Sequence, residues 1–167
     1  MTLQENTILT HQEIKHKIRR IAYQIYECNV NEKEIILAGI ESNGYILAKQ
    51  LKLALSKISK ISPQLCKVSI DKKNPRNQIT TSISEKDYKN KSVVLVDDVL
   101  NSGTTLVYGV KHFLDVPLKQ FKTAVLVNRN HKKYPVKADF KGISLSTSLH
   151  EHVDVVLVGK DFKATLE

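Results

Sequence analysis

The feature that most constrains this chain is a short apolar run that ends in two acids. The run is Val93, Val94, Leu95 and Val96, with no alternation of polar side chains. Such a run is typical of a strand covered on both faces in a parallel α/β sheet. Asp97 and Asp98 follow where the strand is expected to emerge. The run therefore predicts a buried parallel strand with two carboxylates at its carboxyl end.

A turn of small residues follows the acids and opens a predicted helix. Its sequence is Asn101, Ser102, Gly103, Thr104 and Thr105. Unpaired backbone N–H groups and the helix dipole at such an N-terminus favour a phosphate. An ordinary turn with Ser102 as the N-cap explains the fragment alone. After two adjacent acids, which need hydroxyls, a cation or water to stay ionised together, the turn indicates a ribose-phosphate ligand with Mg²⁺.

Other phosphate-binding motifs do not match the spacing. The sequence has no Gly-x-x-x-x-Gly-Lys-Ser/Thr and no Gly-x-Gly-x-x-Gly after a strand, which argues against a P-loop and a typical dinucleotide site. Receiver domains also carry paired acids after a strand, but near the start of the domain. Here Asp98 lies beyond the middle of the chain.

Length and composition predict a soluble, cytoplasmic protein with a single domain over residues 1–167. The 167 residues are enough for a sizeable core, and no apolar run approaches the ~20 residues that span a bilayer. Cys28 and Cys66 match no metal-binding pattern and are expected to be reduced thiols. The formal net charge of +9 suits a polyanionic substrate or RNA, although a solvated basic surface explains it more simply.

The first third of the chain reads as a helix followed by a strand-loop-helix unit. Thr10 and Glu13 form a capping-box pattern before apolar residues at helical spacing. Residues 35–40 are predicted to be a buried strand, and a second phosphate group would fit the loop 41–44 after it. The other face of the first helix is predicted to be solvated, to pair with a second subunit or to bind RNA; it carries His16, Arg19, Arg20 and Tyr23.

The remaining pattern completes an α/β alternation. Residues 65–70 are a predicted strand, and the polar stretch 71–91 is predicted to contain a short hairpin at 78–84 and to act as a lid. Further strands are predicted at 123–127 and 154–158, with a polar cover at 128–135. The helix after the acids is predicted to bury one face made of Leu106, Val110, Phe113 and Leu114. The alternation predicts one parallel sheet with helices on both faces.

Residues 93–105 resemble the phosphoribosyl-diphosphate (PRPP) motif of type I phosphoribosyltransferases. Residues 19–23, 37–44, 124–131 and 135–140 are similar to one branch, the PyrR family, which combines uracil phosphoribosyltransferase activity with RNA-binding control of pyrimidine operons. The resemblance implies an α/β fold with a mainly parallel central sheet flanked by helices and a flexible lid. It also implies transfer of ribose 5-phosphate from PRPP to a nucleobase, uracil first, with Mg²⁺, release of pyrophosphate and a homodimer.

The resemblance also implies roles for particular residues. Asp97 and Asp98 would hold the ribose hydroxyls, directly or through Mg²⁺ that arrives with substrate rather than at a preformed metal site. The other PRPP-binding residues would be Ser42, Asn43, Gly44, Asn101, Ser102, Gly103, Thr104 and Thr105. The base would lie against Val127, Asn128 and Arg129, and the lid would contribute Lys72, Lys73 and Arg76. Possible RNA contacts are Arg20, Lys132 and Lys137.

Departures from the family pattern leave a second hypothesis open. The family commonly has Arg where this chain has Asn43 and Thr104, His at Tyr23 and Asp at Asn128. Contacts from Arg to phosphate are roughly twice as strong as neutral ones, so losing them threatens rate more than fold. The alternative is a nucleotide-sensing, RNA-binding regulator of pyrimidine genes with weak or no catalysis.

Overall fold

The structure, a computed structural model, describes residues 6–167. Its strands and helices, in chain order, are β1 (Asn6–Leu9), α1 (His11–Cys28), β2 (Glu34–Ile40), α2 (Asn43–Ile58), β3 (Ser62–Ser69), β4 (Thr80–Thr81), α3 (Glu85–Tyr88), β5 (Ser92–Leu100), α4 (Thr104–Phe113), β6 (Gln120–Arg129), β7 (Phe140–Leu145), β8 (Val153–Val156) and β9 (Lys163–Leu166). No helix in this part of the chain is long and apolar enough to cross a bilayer.

The main sheet has the strand order β4-β3-β2-β5-β6-β7. Strands β3, β2, β5, β6 and β7 run parallel, and the short β4 pairs antiparallel with β3 at one edge. The chain proceeds outward from β2 to β3 on one side and from β5 to β7 on the other, so the strand order reverses between β2 and β5. In open α/β sheets, ligands bind at such a reversal, beyond the carboxyl ends of the strands.

Helices cover both faces of this sheet, as predicted. Val94 and Val96 of β5 belong to the core cluster that contains α1 and α2. Val93 and Leu95 belong to the cluster on the other face, which contains α3 and α4. Because successive strand residues point to opposite faces, covering both faces explains why the run lacks polar alternation. The predicted capping of α1 is also present, since the Thr10 hydroxyl accepts the backbone N–H of Glu13 at 3.3 Å.

A second sheet, which we call the hood, was not predicted. It is antiparallel, has the order β1-β9-β8 and joins the two ends of the described chain. Val153, Val155 and Ala164 of the hood are buried in the α1–α2 core cluster. The predicted strand at 154–158 therefore belongs to the hood, and the expectation of one sheet was wrong.

Several predicted boundaries were wrong because strand pairing continues beyond the apolar runs. Strand β5 extends through both acids to Leu100, which pairs with Asn128 on β6. Strand β6 in turn ends at Arg129, so residues 128 and 129 are buried strand residues rather than part of a polar cover. Leu114 is 61% exposed because it lies just beyond the last turn of α4.

The polar stretch 71–91 is more ordered than its composition predicts. Thr80 and Thr81 pair with Ser69 and Val68, so the hairpin is formed by β3 and β4 rather than within residues 78–84. Tyr88 of α3 is 1% exposed and anchors the end of this stretch in the core. The connection between β3 and β4, residues 70–79, is called the lid loop below.

Candidate active site

A cavity of about 360 Å³ lies at the reversal of strand order. Its walls come from the start of α2, the lid loop, the end of β5 with the start of α4, and the hood. The lining residues are Asn43, Lys72, residues 97–106, Val125 and residues 152–155. The structure thus brings Asn43 to the acid pair and the small-residue turn, although Asn43 precedes Asp98 by 55 residues.

The two carboxylates of the pair differ in burial. Asp97 is 5% exposed, and its Oδ1 accepts the backbone N–H of Asp98 at 2.9 Å. Burial, followed by the negative charge of Asp98, raises the pKa of Asp97 well above its usual value, and the charge of Lys72 acts in the opposite direction. Asp98 is only half-buried. Both carboxylates line the cavity, and Asp98 is the more exposed to a ligand.

Asn43 connects the acid pair to the hood. Its Nδ2 donates to Asp98 Oδ2 at 3.1 Å and to the carbonyl oxygen of Val155 at 2.9 Å. This neutral amide occupies the position where the PyrR pattern commonly has Arg. Among residues 6–167, the salt bridges within 4.0 Å do not include Asp97 or Asp98. Within the described residues, the side chain that hydrogen-bonds the Asp98 carboxylate is therefore a neutral amide rather than a cation.

Residues 101–105, called the phosphate loop below, lead into the N-terminus of α4. Gly103, not Ser102, is the N-cap, with φ of +88°, a left-handed conformation that favours glycine. The Ser102 and Thr104 hydroxyls lie 2.8 Å apart. The Ser102 carbonyl accepts the backbone N–H groups of Lys133 and Tyr134 at 2.8 and 3.2 Å. The loop is therefore held from outside by residues 133–134. At the start of α4 the Thr104 N–H donates to Ser102 Oγ at 3.3 Å, and the helix dipole there favours an anion.

The loop between β2 and α2 approaches the acid pair closely. A Cβ added to Gly44 would lie 2.7 Å from the Val96 carbonyl oxygen and 3.1 Å from Asp97 Oδ1, so only glycine lets α2 start against β5. The Glu41-Ser42 peptide bond is cis, and Ser42 is exposed. Of the three predicted residues here, Asn43 contacts Asp98, and Gly44 permits the close approach.

The predicted lid residues point to different places. Lys72 lines the cavity and is the cation whose charge acts on Asp97. The backbone N–H groups of Asn74 and Lys73 bind Asp71, lowering the pKa of its carboxyl. Arg76 lines a separate cavity of about 590 Å³ next to α4. Lys72 is therefore the lid cation that the structure brings to the acid pair.

The three predicted base-binding residues end β6 and are buried. Within the described chain, the residues lining the 360 Å³ cavity do not include Val127, Asn128 or Arg129. Asn128 Nδ2 donates to Ser144 Oγ at 3.2 Å, and its buried Oδ1 has no hydrogen-bond partner among the residues that the structure describes. The guanidinium of Arg129 donates to the phosphate loop and to residues 147–151.

The possible RNA contacts do not form one patch of free cations. Arg20 Nη2 donates to the carbonyl oxygens of Lys141 and Gly142 at 3.1 and 2.6 Å. Lys137 is 83% exposed and lies 3.8 Å from Asp139, and Lys132 is exposed. A groove of about 720 Å³ between α1 and α2 is a more continuous basic surface. It is lined by Lys15, His16, Ile18, Arg19, Tyr23, Gln50, Leu53, Ala54, Lys57 and Ile58.

Sequence reasoning missed the hood wall of the cavity. This wall is formed by His152, Val153, Asp154 and Val155. The burial of alternate residues in β8 gives a short strand pattern, but nothing local indicates that this strand crosses the cavity. Its placement depends on pairing with β9 and, through β9, with β1.

The acid pair fits a hard cation that brings most of its own ligands. Mg²⁺ prefers carboxylate oxygens, keeps several waters and is commonly held by one or two carboxylates together with substrate phosphates. Asp98 faces the cavity with such oxygens. In residues 6–167, no group of three or more His, Cys, Asp or Glu side chains that could hold a metal ion occurs.

Comparisons with known proteins agree with this geometry. A family model for the phosphoribosyl transferase domain matches residues 4–158. The bifunctional protein PyrR of Fusobacterium nucleatum is 34% identical over 98% of this chain and 97% of its own length. The bifunctional protein PyrR of Pediococcus pentosaceus is 30% identical over 90% of this chain and 91% of its own.

Solved structures share the fold at lower identity. The hypoxanthine phosphoribosyltransferase of Trypanosoma cruzi superposes with a TM-score of 0.75 at 18% identity, over 84% of this chain and 82% of that one. A hypoxanthine-guanine phosphoribosyltransferase from Bacillus anthracis gives 0.70 at 20% identity, over 84% and 81%. The chain therefore belongs to the phosphoribosyl transferase domain family and, within it, to the branch of the bifunctional PyrR proteins.

Proposed function

We propose that this protein transfers ribose 5-phosphate from PRPP to a ring nitrogen of a nucleobase, with uracil as the first choice, and releases pyrophosphate. The observation that carries the proposal is the single cavity in which Asp98, the phosphate loop, Asn43 and the hood meet. Because its relatives are PyrR proteins, we expect the chain to act as a single domain, to form a homodimer and to work in the cytoplasm.

In this reaction, each wall of the cavity would bind a different part of the substrate. The phosphate loop and the first turn of α4 would hold the 5′-phosphate through N–H groups and hydroxyls. The start of α2, with Ser42, Asn43 and Gly44, would hold the pyrophosphate. Asp97 and Asp98 would face the ribose hydroxyls, and Lys72 would bring positive charge when the lid loop lies over the substrate.

The chemistry requires positioning and charge stabilisation rather than a protein nucleophile. As the bond to pyrophosphate breaks, positive charge develops on the ribose ring, and the Asp98 carboxylate would stabilise it from the cavity wall. Mg²⁺ bound with PRPP would serve as template and Lewis acid for the departing pyrophosphate. The hood would exclude water and align the base nitrogen with the ribose carbon.

The first test is release of pyrophosphate from PRPP and Mg²⁺ with seven bases in parallel: uracil, cytosine, orotate, adenine, guanine, hypoxanthine and xanthine. We expect release with uracil to exceed that with every other base by about tenfold or more, because a pocket that hydrogen-bonds a base penalises analogues that leave its polar groups unpaired. Release with another base would keep the transferase and change its substrate. No release with any base would contradict the proposal.

A second candidate function is RNA-binding regulation controlled by a nucleotide in the same cavity. The groove between α1 and α2 favours it, because Lys15, Arg19 and Lys57 line it and its lining contains no acid. The exposed ring of Tyr23 also lines the groove, with its centroid 5.8 Å from the guanidinium carbon of Arg19. Cations with aromatic rings are the usual surface for RNA phosphates and unstacked bases. Asn43 in place of the family's Arg also fits a protein that binds nucleotides with little catalysis.

The RNA function predicts salt-sensitive binding to a hairpin over a scrambled RNA of equal length. Replacing Arg19 with Gln should weaken hairpin binding and reduce the slope of log K against log salt by about one, as expected for one lost phosphate contact. The control is Lys33→Gln, which replaces an exposed lysine before β2. It should change neither the affinity for the hairpin nor the salt slope. Equal weak binding to both RNAs would leave only nonspecific attraction and would contradict this function.

A further inference from the structure

Arg129 is an almost fully buried cation whose hydrogen-bonding groups are nearly all used within the protein. It is 7% exposed at the last residue of β6. Its Nε donates to Thr147 Oγ1 at 2.9 Å, and its Nη1 donates to Asn101 Oδ1 at 3.0 Å. Its Nη2 donates to the carbonyl oxygens of Ser148 and Glu151 at 3.2 and 2.6 Å. A guanidinium has five N–H groups, so only one is left for a ligand.

One of these partners, Asn101, lines the cavity, and the others precede the hood residues 152–155 that line it. Asn101 is the first residue of the phosphate loop, and residues 147–151 lead directly into the hood strand β8. The neighbours of Arg129 strengthen the second attachment, because Asn130 Nδ2 donates to Ser146 Oγ at 2.9 Å and His131 Nε2 contacts the Thr147 carbonyl. One side chain thus joins the phosphate loop to the segment that carries the hood wall.

Within residues 6–167, the charge of Arg129 has no carboxylate partner. Among the described residues, the ion pairs within 4.0 Å do not include it, and the acceptors it uses are neutral oxygens. Buried charges are normally paired, because loss of hydration is expensive. A guanidinium bonded to the phosphate loop and left without a counter-ion is suited to a dianionic phosphate on that loop.

We propose that Arg129 is a positioning residue for the 5′-phosphate rather than a contact for the base. It acts through Asn101 to fix the phosphate loop, holds that loop and the hood segment 146–151 as one unit, and adds positive charge beside the phosphate. This inference rests on the proposed transferase function, because it names the group of PRPP that the loop receives. It replaces the base-contact role predicted for Arg129 from the sequence.

Two substitutions of Arg129 distinguish the effect of its charge from the effect of the hydrogen bonds by which it joins Asn101 to residues 147–151. Arg129→Lys keeps the charge, but its single nitrogen does not span Asn101 and Glu151, whereas Arg129→Gln loses both charge and bridging. We expect Arg129→Gln to raise KM and Kd for PRPP by about tenfold or more and Arg129→Lys to raise them less, with KM for the base within about twofold. Asn101→Ala should also weaken PRPP binding, and its combination with Arg129→Gln should weaken binding by less than the product of the two single effects.

Asn29→Ala is the control for a general loss of stability. Asn29 is 2% exposed, and it bonds the Ile25 carbonyl at 2.7 Å and the Ser92 hydroxyl at 2.6 Å. It lies at the opposite end of β5 from the acids. This substitution should lower Tm without changing KM for PRPP. A rise in KM for the base with unchanged PRPP binding in Arg129→Lys would overturn the inference.

Hydrogen exchange of the ligand-free protein tests the same coupling without activity. In Arg129→Gln and Arg129→Lys, amides of residues 101–105 and 146–151 should exchange faster together, while Asn29→Ala should leave both segments unchanged. Faster exchange in only one of the two segments would overturn the inference. Failure of the wild-type protein to bind PRPP would refute the transferase proposal instead, and the exchange result would then decide the role of Arg129 alone.

Discussion

Replacing Asp98 with Asn should lower kcat/KM for PRPP by about 100- to 1,000-fold, the usual cost of removing one group that stabilises transition-state charge. Asp98 is the half-buried carboxylate that faces the cavity, and the substitution removes its negative charge while keeping its size. The side-chain oxygen of the variant can still accept from Asn43 Nδ2, which lies 3.1 Å from Asp98 Oδ2. The loss should therefore fall on rate rather than on folding.

Steady-state kinetics and a thermal melt separate these two effects. Asp115→Asn is the matched control, because it removes an exposed carboxylate just beyond α4; its kcat/KM should stay within about twofold of wild type. Asp98→Asn should melt within a few degrees of wild type. Activity of Asp98→Asn close to that of the control would show that the carboxylate is dispensable, and the nucleotide-sensing function would then be preferred.

The placement of the acid pair and the phosphate loop at one end of a buried strand could be predicted because the sequence signal is local. A buried apolar run, two acids and a small-residue turn are contiguous in sequence, and each has a direct physical meaning. The bounds of the strand were not predictable in the same way. Asp97 pairs with Val125, and Leu100 pairs with Asn128, so β5 extends as far as its partner β6 allows. Pairing between strands, rather than local hydrophobicity, sets where they end.

The hood, in contrast, could not be predicted from a local sequence signal. Its strands come from both ends of the described chain, each has only four residues, and they are stabilised by pairing with one another. Periodicity over four residues is too short to distinguish a strand from a loop. His152 and Asp154 consequently gave no sequence signal, although both line the cavity. Most of the cavity wall was thus predictable from motifs, whereas the hood side depends on contacts between distant segments.

Arg129 illustrates why the hydrogen-bond partners of a side chain are harder to predict than a motif. The sequence places it one residue after Asn128 in a segment that the family resemblance assigns to the base. The structure instead extends β6 to include it and surrounds its guanidinium with acceptors from residues 101 and 147–151. Those acceptors come from a loop and a hood segment whose positions are set by the tertiary fold, so sequence spacing alone does not indicate them.

Replacing Asp97 with Asn should stabilise the ligand-free protein at neutral pH and lower its activity. Burial and the charge of Asp98 raise the pKa of Asp97 well above its usual value, so the folded protein binds this proton more tightly than the unfolded chain does. The free energy of unfolding therefore falls as pH rises from about 4, where an unfolded Asp titrates, towards the folded pKa. The amide of the variant does not ionise, so it avoids the cost of placing a negative charge at this buried position. Its oxygen can still accept the Asp98 N–H, now 2.9 Å from Asp97 Oδ1.

The stabilisation should depend on pH in a definite direction. We expect the gain of Asp97→Asn over wild type to be near zero at pH 4 and on the order of 2 kcal/mol at pH 8, which corresponds to a Tm higher by about 6 °C for a chain of this size. Urea unfolding at a series of pH values measures it, with Asp115→Asn staying within about 0.5 kcal/mol of wild type throughout. A variant less stable than wild type at pH 8, or a difference that does not change with pH, would contradict the prediction. If the expected gain is accompanied by loss of activity, Asp97 is a carboxylate that the fold maintains at a cost because the site requires its charge when the ligand and its cation are bound.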